Sequence, residues 1–192
     1  MILTDREIKI AIARGLIIID PPPDQDIAFT STAVDLTLDP AIRTFKSRIT
    51  DAMPVVDPAA QGFDSQKIIR ELTDQQNIPN GGYQLEPGKL ILAWTKEYVQ
   101  LAIETRIAAR VEGRSSLARL GLSVHVTAPT IHAGFEGPIQ LEMINHGVAP
   151  ILLRPGMRIC QLIFETTLGT PDKGYKGQFL HQSKIARKKM RA

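Results

Sequence analysis

Apolar and polar positions change period several times along the chain. Ile8, Ile12 and the alanines between them recur at helical spacing behind Thr4-Asp5-Arg6-Glu7. That run carries the hydroxyl and the glutamate of a capping box, and Gly15 supplies the stop. "LIIID" at 16–20 then reads as a short buried strand closed by Pro21-Pro22-Pro23, and "STAVDLTLD" at 31–39 alternates like a second strand. Residues 40–82 carry the least pattern: "DSQKIIRELTDQ" has the spacing of a short helix, and "NIPNGG" is loop. From Tyr83 onward the pattern is β throughout. The runs are "YQL", "KLILAWT", "EYVQL", "AARVE", "SVHVT", "PIQLEMI", "PILL" and "RICQLIFE", with Pro87-Gly88 and Pro155-Gly156 among the turns. Short strands with turn signals every eight to twelve residues or so predict a β-sandwich or barrel. The expected fold is mainly β with a helical N-terminal piece, and no internal repeat interrupts it.

Length and composition narrow the class. With 192 residues, 43% apolar and 22% charged, the chain can bury a sizeable core as one domain and is neither disordered nor fibrous. The net charge of +3 is local in origin. Lys184, Arg187, Lys188, Lys189 and Arg191 crowd the last nine positions, and the body without them is slightly acidic. This tail reads as a solvated end or a lid over an anion. Duplex nucleic acid is disfavoured, because no aromatic or helical reading element accompanies the charge. The single cysteine, Cys160, excludes an intrachain disulfide and sits in an apolar run where a small core residue is expected. Charges interrupt the N-terminus, which has no signal-peptide pattern, and no apolar window approaches a membrane span. The expectation is a soluble, intracellular chain.

Several chemistries fail on the residues present. A zinc nucleobase deaminase needs His-x-Glu and Pro-Cys-x-x-Cys, whereas this chain has one cysteine and its His132 stands four residues from Glu136. No histidine pair has metal-ligand spacing, and Gly-x-Ser-x-Gly, Walker and Rossmann patterns are absent. Two features remain. In "GRSSLARLG", Ser115 and Ser116 open a short helical run beside Arg114, which reads either as an anion site or as a plain N-cap with a surface arginine. In "IQLEMIN", period two sets Ile139, Leu141 and Met143 on one face and Gln140, Glu142 and Ile144 on the other. Glu142 is thus either an ordinary solvent-facing strand residue or, if that face lines a cleft, a poorly solvated carboxylate able to move protons.

The stretch "GRSSLARLGLSVHVTAPTIHAGFEGPIQLE", residues 113–142, closely resembles the signature block of the dCTP deaminases in the dUTPase superfamily. Weaker likeness runs through "MILTDREI", "STAVDLTL", "RPGMRICQLIFE" and "GYKGQ". The resemblance implies a distorted β-barrel or jelly-roll of the dUTPase-like type with a short N-terminal helix. The deaminase domain would cover residues 1–180, with a basic tail at 181–192. It also implies a cytoplasmic homotrimer with active sites between subunits, and hydrolytic deamination of dCTP to dUTP and ammonia. Mg²⁺ would accompany the triphosphate, with no zinc and no metal bound by the protein. The implied partners are dCTP and dUTP, with dTTP as a family-level inhibitor, and neither nucleic acid nor membrane. Glu142 falls on the family's essential glutamate, with Ser115, Arg119 and the backbone of Ala128 around the reacting water. Arg119 equally reads as a structural ion-pair partner. Arg114 and Ser116 match phosphate-binding positions, and His125, Val126 and Thr127 match the segment passing base and sugar. His125 by itself equally reads as a packed core histidine.

Two departures from the family pattern bear on function. His132 stands in "IHAGFEG" where many relatives, and the dUTPases, carry an aspartate that helps activate water against the α-phosphate. An imidazole is not a simple replacement for an anionic base, so pyrophosphatase activity is disfavoured. The departure also removes the basis for the family's sugar contact here, and His132 reads either as a phosphate contact or as a turn residue with no ligand role. Near the C-terminus, Tyr175 and Gln178 are kept, but Gly174 replaces the lysine before the tyrosine, leaving Lys173 or Lys176 to supply the charge. Tyr175, Lys176 and Gln178 are expected to close over the nucleotide. Three readings follow: a dCTP deaminase, a dUTP pyrophosphatase or bifunctional enzyme, and a catalytically silent deoxynucleotide-sensing trimer.

Overall fold

The computed structural model describes residues 1–47 and 55–173. The N-terminal helix α1 spans Asp5–Ala13 and buries Ile8 and Ala11, as its periodicity predicts. The expected capping box forms only in part. Thr4 occupies the N-cap with extended backbone, but its hydroxyl donates to the Glu7 carboxylate instead of accepting a backbone N–H. The segment ahead of the helix is held by Leu3, whose N–H donates to Phe164 O at 2.9 Å.

The described strands are β1 (Ile18–Asp20), β2 (Val34–Phe45), β3 (Thr73–Asn77), β4 (Tyr83–Leu85), β5 (Leu90–Gln100), β6 (Ile107–Gly113), β7 (Leu122–Ser123), β8 (Thr130–Ile131), β9 (Glu136–Asn145), β10 (Ile151–Leu153) and β11 (Arg158–Thr166). Two further helices, α2 (Ser65–Leu72) and α3 (Ser115–Ala118), interrupt them. The main sheet runs β7-β9-β5-β2-β11-β6-β8, with β1 added to β5 and β3 to β2, while β4 and β10 form a separate pair. It is a mainly β, curled half-barrel of the expected class.

The twelve-residue β2 is the organising strand. On one side it pairs with β11 through Val34–Thr37 and then with β3 through Ala41–Phe45, changing partner at Asp39-Pro40. Proline has no N–H for the ladder, so a break is expected there. Asp39 fills it by accepting the Ala41 N–H at 2.9 Å. This partner change explains a correction: the "TDQ" of the expected helix is strand. The helix ends at Leu72, Thr73 returns its hydroxyl to Ile69 O at 2.6 Å, and residues 73–77 complete the edge of β2.

Two other expectations shift. "KLILAWT" and "EYVQL" are one strand with a register break between Trp94 and Tyr98. The buried Thr95 hydroxyl spans that break, donating to Glu97 O at 2.8 Å and accepting the Ile139 N–H at 2.9 Å. "SVHVT" is not a strand beyond Ser123. The Ser123 hydroxyl donates to His125 O at 3.0 Å, and the chain leaves the sheet until Thr130. The core closes around Leu36, Leu38, Val99, Leu141, Met143 and Phe164. Cys160 lies fully within it, and burial pushes its thiol pKa far up, as befits packing and not nucleophilic work. Among the described residues no helix is long and apolar enough to cross a membrane.

Candidate active site

Strand β9 delivers the period-two pattern: Ile139, Leu141 and Met143 are buried, while Gln140, Glu142 and Ile144 alternate as half-buried. Antiparallel pairing sets Glu142 opposite Leu92 and Gln140 opposite Trp94 on β5. The partly open face is a cleft of about 340 Å³ and not free solvent. Glu142 and Gln140 line it with Leu92, Ala128, His132 and Ile69 of α2. Burial raises the Glu142 pKa above the ordinary carboxylate value; backbone hydrogen bonds from Glu142 and Val126, and the His125 imidazole, pull the other way without cancelling it. Among the described residues Glu142 enters no salt bridge.

The 124–129 segment passes this carboxylate because it has left the sheet. His125 is half-buried, with Nε2 4.0 Å from the Glu112 carboxylate and a buried Nδ1 that has no hydrogen-bond partner among the described residues. Val126, Thr127 and Ala128 are exposed, and Ala128 and His132 reach the cleft.

The 114–119 arm lies elsewhere. Strand β6 ends at Gly113, opposite Cys160, and α3 begins at Ser115. Ser115, Ser116 and Arg119 are exposed and do not line the Glu142 cleft. Arg114 makes no side-chain cap and turns toward Asp35, with Nε 3.3 Å from the carboxylate. The arm is anchored behind α3 at Gly121, which has φ +96°; a Cβ there would stand 2.2 Å from Gly147 N, so only glycine permits this approach. His146 N–H donates to Gly121 O at 2.7 Å, and Asn145 holds the turn through Leu85 O, Ala149 O and Gly147 N–H.

Glu142, Ala128 and His132 therefore meet in one cleft, while Arg114, Ser115, Ser116 and Arg119 form a second, separate cluster on the same chain. Tyr175, Lys176, Gln178 and the basic tail lie outside the described residues. Reading the sequence missed Ile69, Leu92 and Gln140. The strand pairing that brings Leu92 to Glu142 is nonlocal, but Gln140 was legible as a same-face neighbour of Glu142. It also missed Asp35, whose signal was a lone carboxylate inside the apolar run "AVDL".

A half-barrel with a sheltered carboxylate and a separate serine–arginine arm defines a class, and comparison with known proteins gives the family. The dCTP deaminase-like family model matches residues 2–167, and the chain belongs to that family. It is 39% identical over 166 residues to "dCTP deaminase, dUMP-forming" of Methanobrevibacter smithii, covering 86% of this chain and 80% of that protein. It is also 39% identical over 177 residues to "dCTP deaminase" of Marinomonas sp., covering 91% and 88%. The fold matches the crystal structure of 2'-deoxycytidine 5'-triphosphate deaminase from Agrobacterium tumefaciens with TM-score 0.64 at 23% identity. That match covers 86% of this chain and about half, 48%, of the other.

Proposed function

We propose that this chain is a zinc-independent dCTP deaminase in which Glu142 is the general base and acid. The observation that carries the reading is the Glu142 carboxylate in a cleft, its pKa raised by burial and without a salt bridge among the described residues. Water attacks C4 of cytosine as Glu142 takes one of its protons. The protonated carboxyl then delivers that proton to N3, and a second transfer, from the new hydroxyl to the amine, releases ammonia and leaves the C4 carbonyl of dUTP. Such proton transfer contributes about 10²–10⁴-fold, so fixed dipoles and positioning must supply the rest. Ser115, Arg119 and the Ala128 backbone are assigned to the surround of the water. Arg114 and Ser116 are assigned to the phosphates, and His125, Val126 and Thr127 to base and sugar. Tyr175, Lys176 and Gln178 would close the site. Magnesium enters with the triphosphate as part of the substrate, and dTTP is the expected competitor for the same pocket.

A homotrimer with shared sites fits the separation of the two clusters. The exposed 115–119 arm of one chain would complete the Glu142 cleft of a neighbour. The deaminase domain is taken to extend over 1–180, with 181–192 as a basic tail, in a cytoplasmic enzyme.

A second reading, deamination followed by pyrophosphate release, is favoured by relatives named dUMP-forming at 37–40% identity. His132, where dUTPases use aspartate, supports dUTP as the final product. Purified protein incubated with dCTP and Mg²⁺, with products resolved, tests both. Ammonia with dUTP is expected; dUMP with pyrophosphate would establish the second reading, and binding without turnover would end both.

A further inference from the structure

The buried carboxylate of Asp35 lies outside the proposed chemistry, yet three side chains converge on it. Its side chain is 1% exposed, with Arg114 Nε at 3.3 Å and Arg158 Nη1 at 3.2 Å from the same oxygen. Gln161 Nε2 donates to the other oxygen at 3.2 Å. Arg158 Nη1 also donates to Ile27 O at 2.6 Å, and Arg114 Nη1 to Arg158 O at 3.3 Å. Two arginines against one carboxylate leave a net positive charge, held rigidly at the sheet edge where β6 gives way to Ser115. None of these contacts uses either Nη2, and the side chains stay 25% and 38% exposed, so each guanidinium keeps donors that these contacts leave unused. Arg158 reaches this place by register: β11 runs antiparallel to β6 with Cys160 opposite Gly113, which brings Arg158 alongside the start of α3.

We propose that Arg158 is a second phosphate-binding cation of the nucleotide site, paired with Arg114, and that Asp35 is the positioning residue that aligns both. The proposal rests on the dCTP reading for the identity of the ligand but not for its chemistry, which is that of a polyphosphate. A pre-aligned pair of planar guanidiniums suits adjacent phosphate oxygens better than a mobile lysine, because the fork is fixed before the ligand arrives.

The test compares wild type with Arg158→Gln, Arg158→Lys and Asp35→Asn, using inorganic tripolyphosphate in calorimetric titration and Mg–dCTP in steady-state assays. Arg158→Gln should weaken tripolyphosphate binding and raise KM for dCTP by about tenfold, the scale of one charge-assisted hydrogen bond, while kcat changes little. Arg158→Lys should recover part of that loss. Asp35→Asn should raise KM with both arginines still present, because the amide keeps one acceptor for the arginines but loses the charge that aligns them and turns its NH2 toward the Gln161 donor. If Arg158→Gln binds tripolyphosphate as wild type does, the proposal falls; Arg158 is half-buried against Asp35, so Arg158→Lys, which keeps a cation there, separates a lost phosphate contact from a disturbed fold. Wild type that binds tripolyphosphate in an Arg158-dependent way without deaminating dCTP would overturn the enzyme reading and leave this one standing.

Discussion

Two buried regions of the same sheet treat a carboxylate in opposite ways. Glu97, at the β5 break, accepts the Thr37 hydroxyl at 2.6 Å and the Thr37 N–H at 2.9 Å, and Asp35 faces two arginines and a glutamine. Both acids are sealed by partners and serve to fix strand β2 to its neighbours. Glu142, on β9, is half-buried in a mixed apolar and polar cleft where burial outweighs the hydrogen bonds it accepts, and its carboxyl is correspondingly easier to protonate. Where donors outweigh burial an acid is structural, while where burial outweighs its hydrogen bonds, as at Glu142, it is available for proton transfer.

The sharpest way to break that contrast is Glu142→Gln. Deamination should fall by at least about 10²–10⁴-fold, with nucleotide binding retained in a titration. Wild-type turnover by this variant would remove the base from the mechanism. Next in size is Asn145→Ala, three residues along the same strand, which strips partners from Leu85 O, Ala149 O and Gly147 N–H. Denaturant unfolding should show a loss of about 3 kcal/mol, given the cost of unsatisfied buried groups. Glu97→Gln should cost less, about 1–2 kcal/mol, since one oxygen still accepts while an amide N–H meets a donor.

The smallest effect sharpens the comparison through pH. A carboxyl whose folded pKa lies above its unfolded value imposes no penalty below the unfolded pKa, near 4.3 for glutamate. The penalty grows as pH rises and is complete above the raised folded value. Glu142→Gln should therefore raise the melting temperature by a small amount at pH 7, and the gain should vanish toward pH 4. In the wild type, the acid limb of the kcat/KM profile should break above the ordinary glutamate value. A gain that persisted undiminished at low pH would mean the carboxyl is not strained by burial.

Legibility of the fold followed the locality of its signals. Helix α1, the β9 alternation and the turns at Pro87-Gly88 and Pro155-Gly156 depend on neighbours in sequence, and periodicity gave them. Strand β3 did not announce itself, because Thr73–Asn77 is polar and becomes strand only through pairing with Ala41–Phe45. The "SVHVT" run alternates as a strand should, but Ser123 turns the chain out of the sheet, a local hydrogen bond that periodicity cannot register. At the site, Glu142 and the 114–119 arm were legible through resemblance. That they form two separate clusters on one chain was not, since it depends on how β6 and β9 are distributed across the sheet.

The contact between Gly121 and Gly147 joins those clusters without any side chain. The arm after β6 rests its backbone against the turn that follows the strand bearing Glu142. The contact thus works as a spacing gauge: it sets how far the 114–119 arm stands from the Glu142 cleft. A methyl group at either glycine would stand 2.2 or 2.3 Å from the opposite backbone and force the two segments apart, so the main chain itself sets that span.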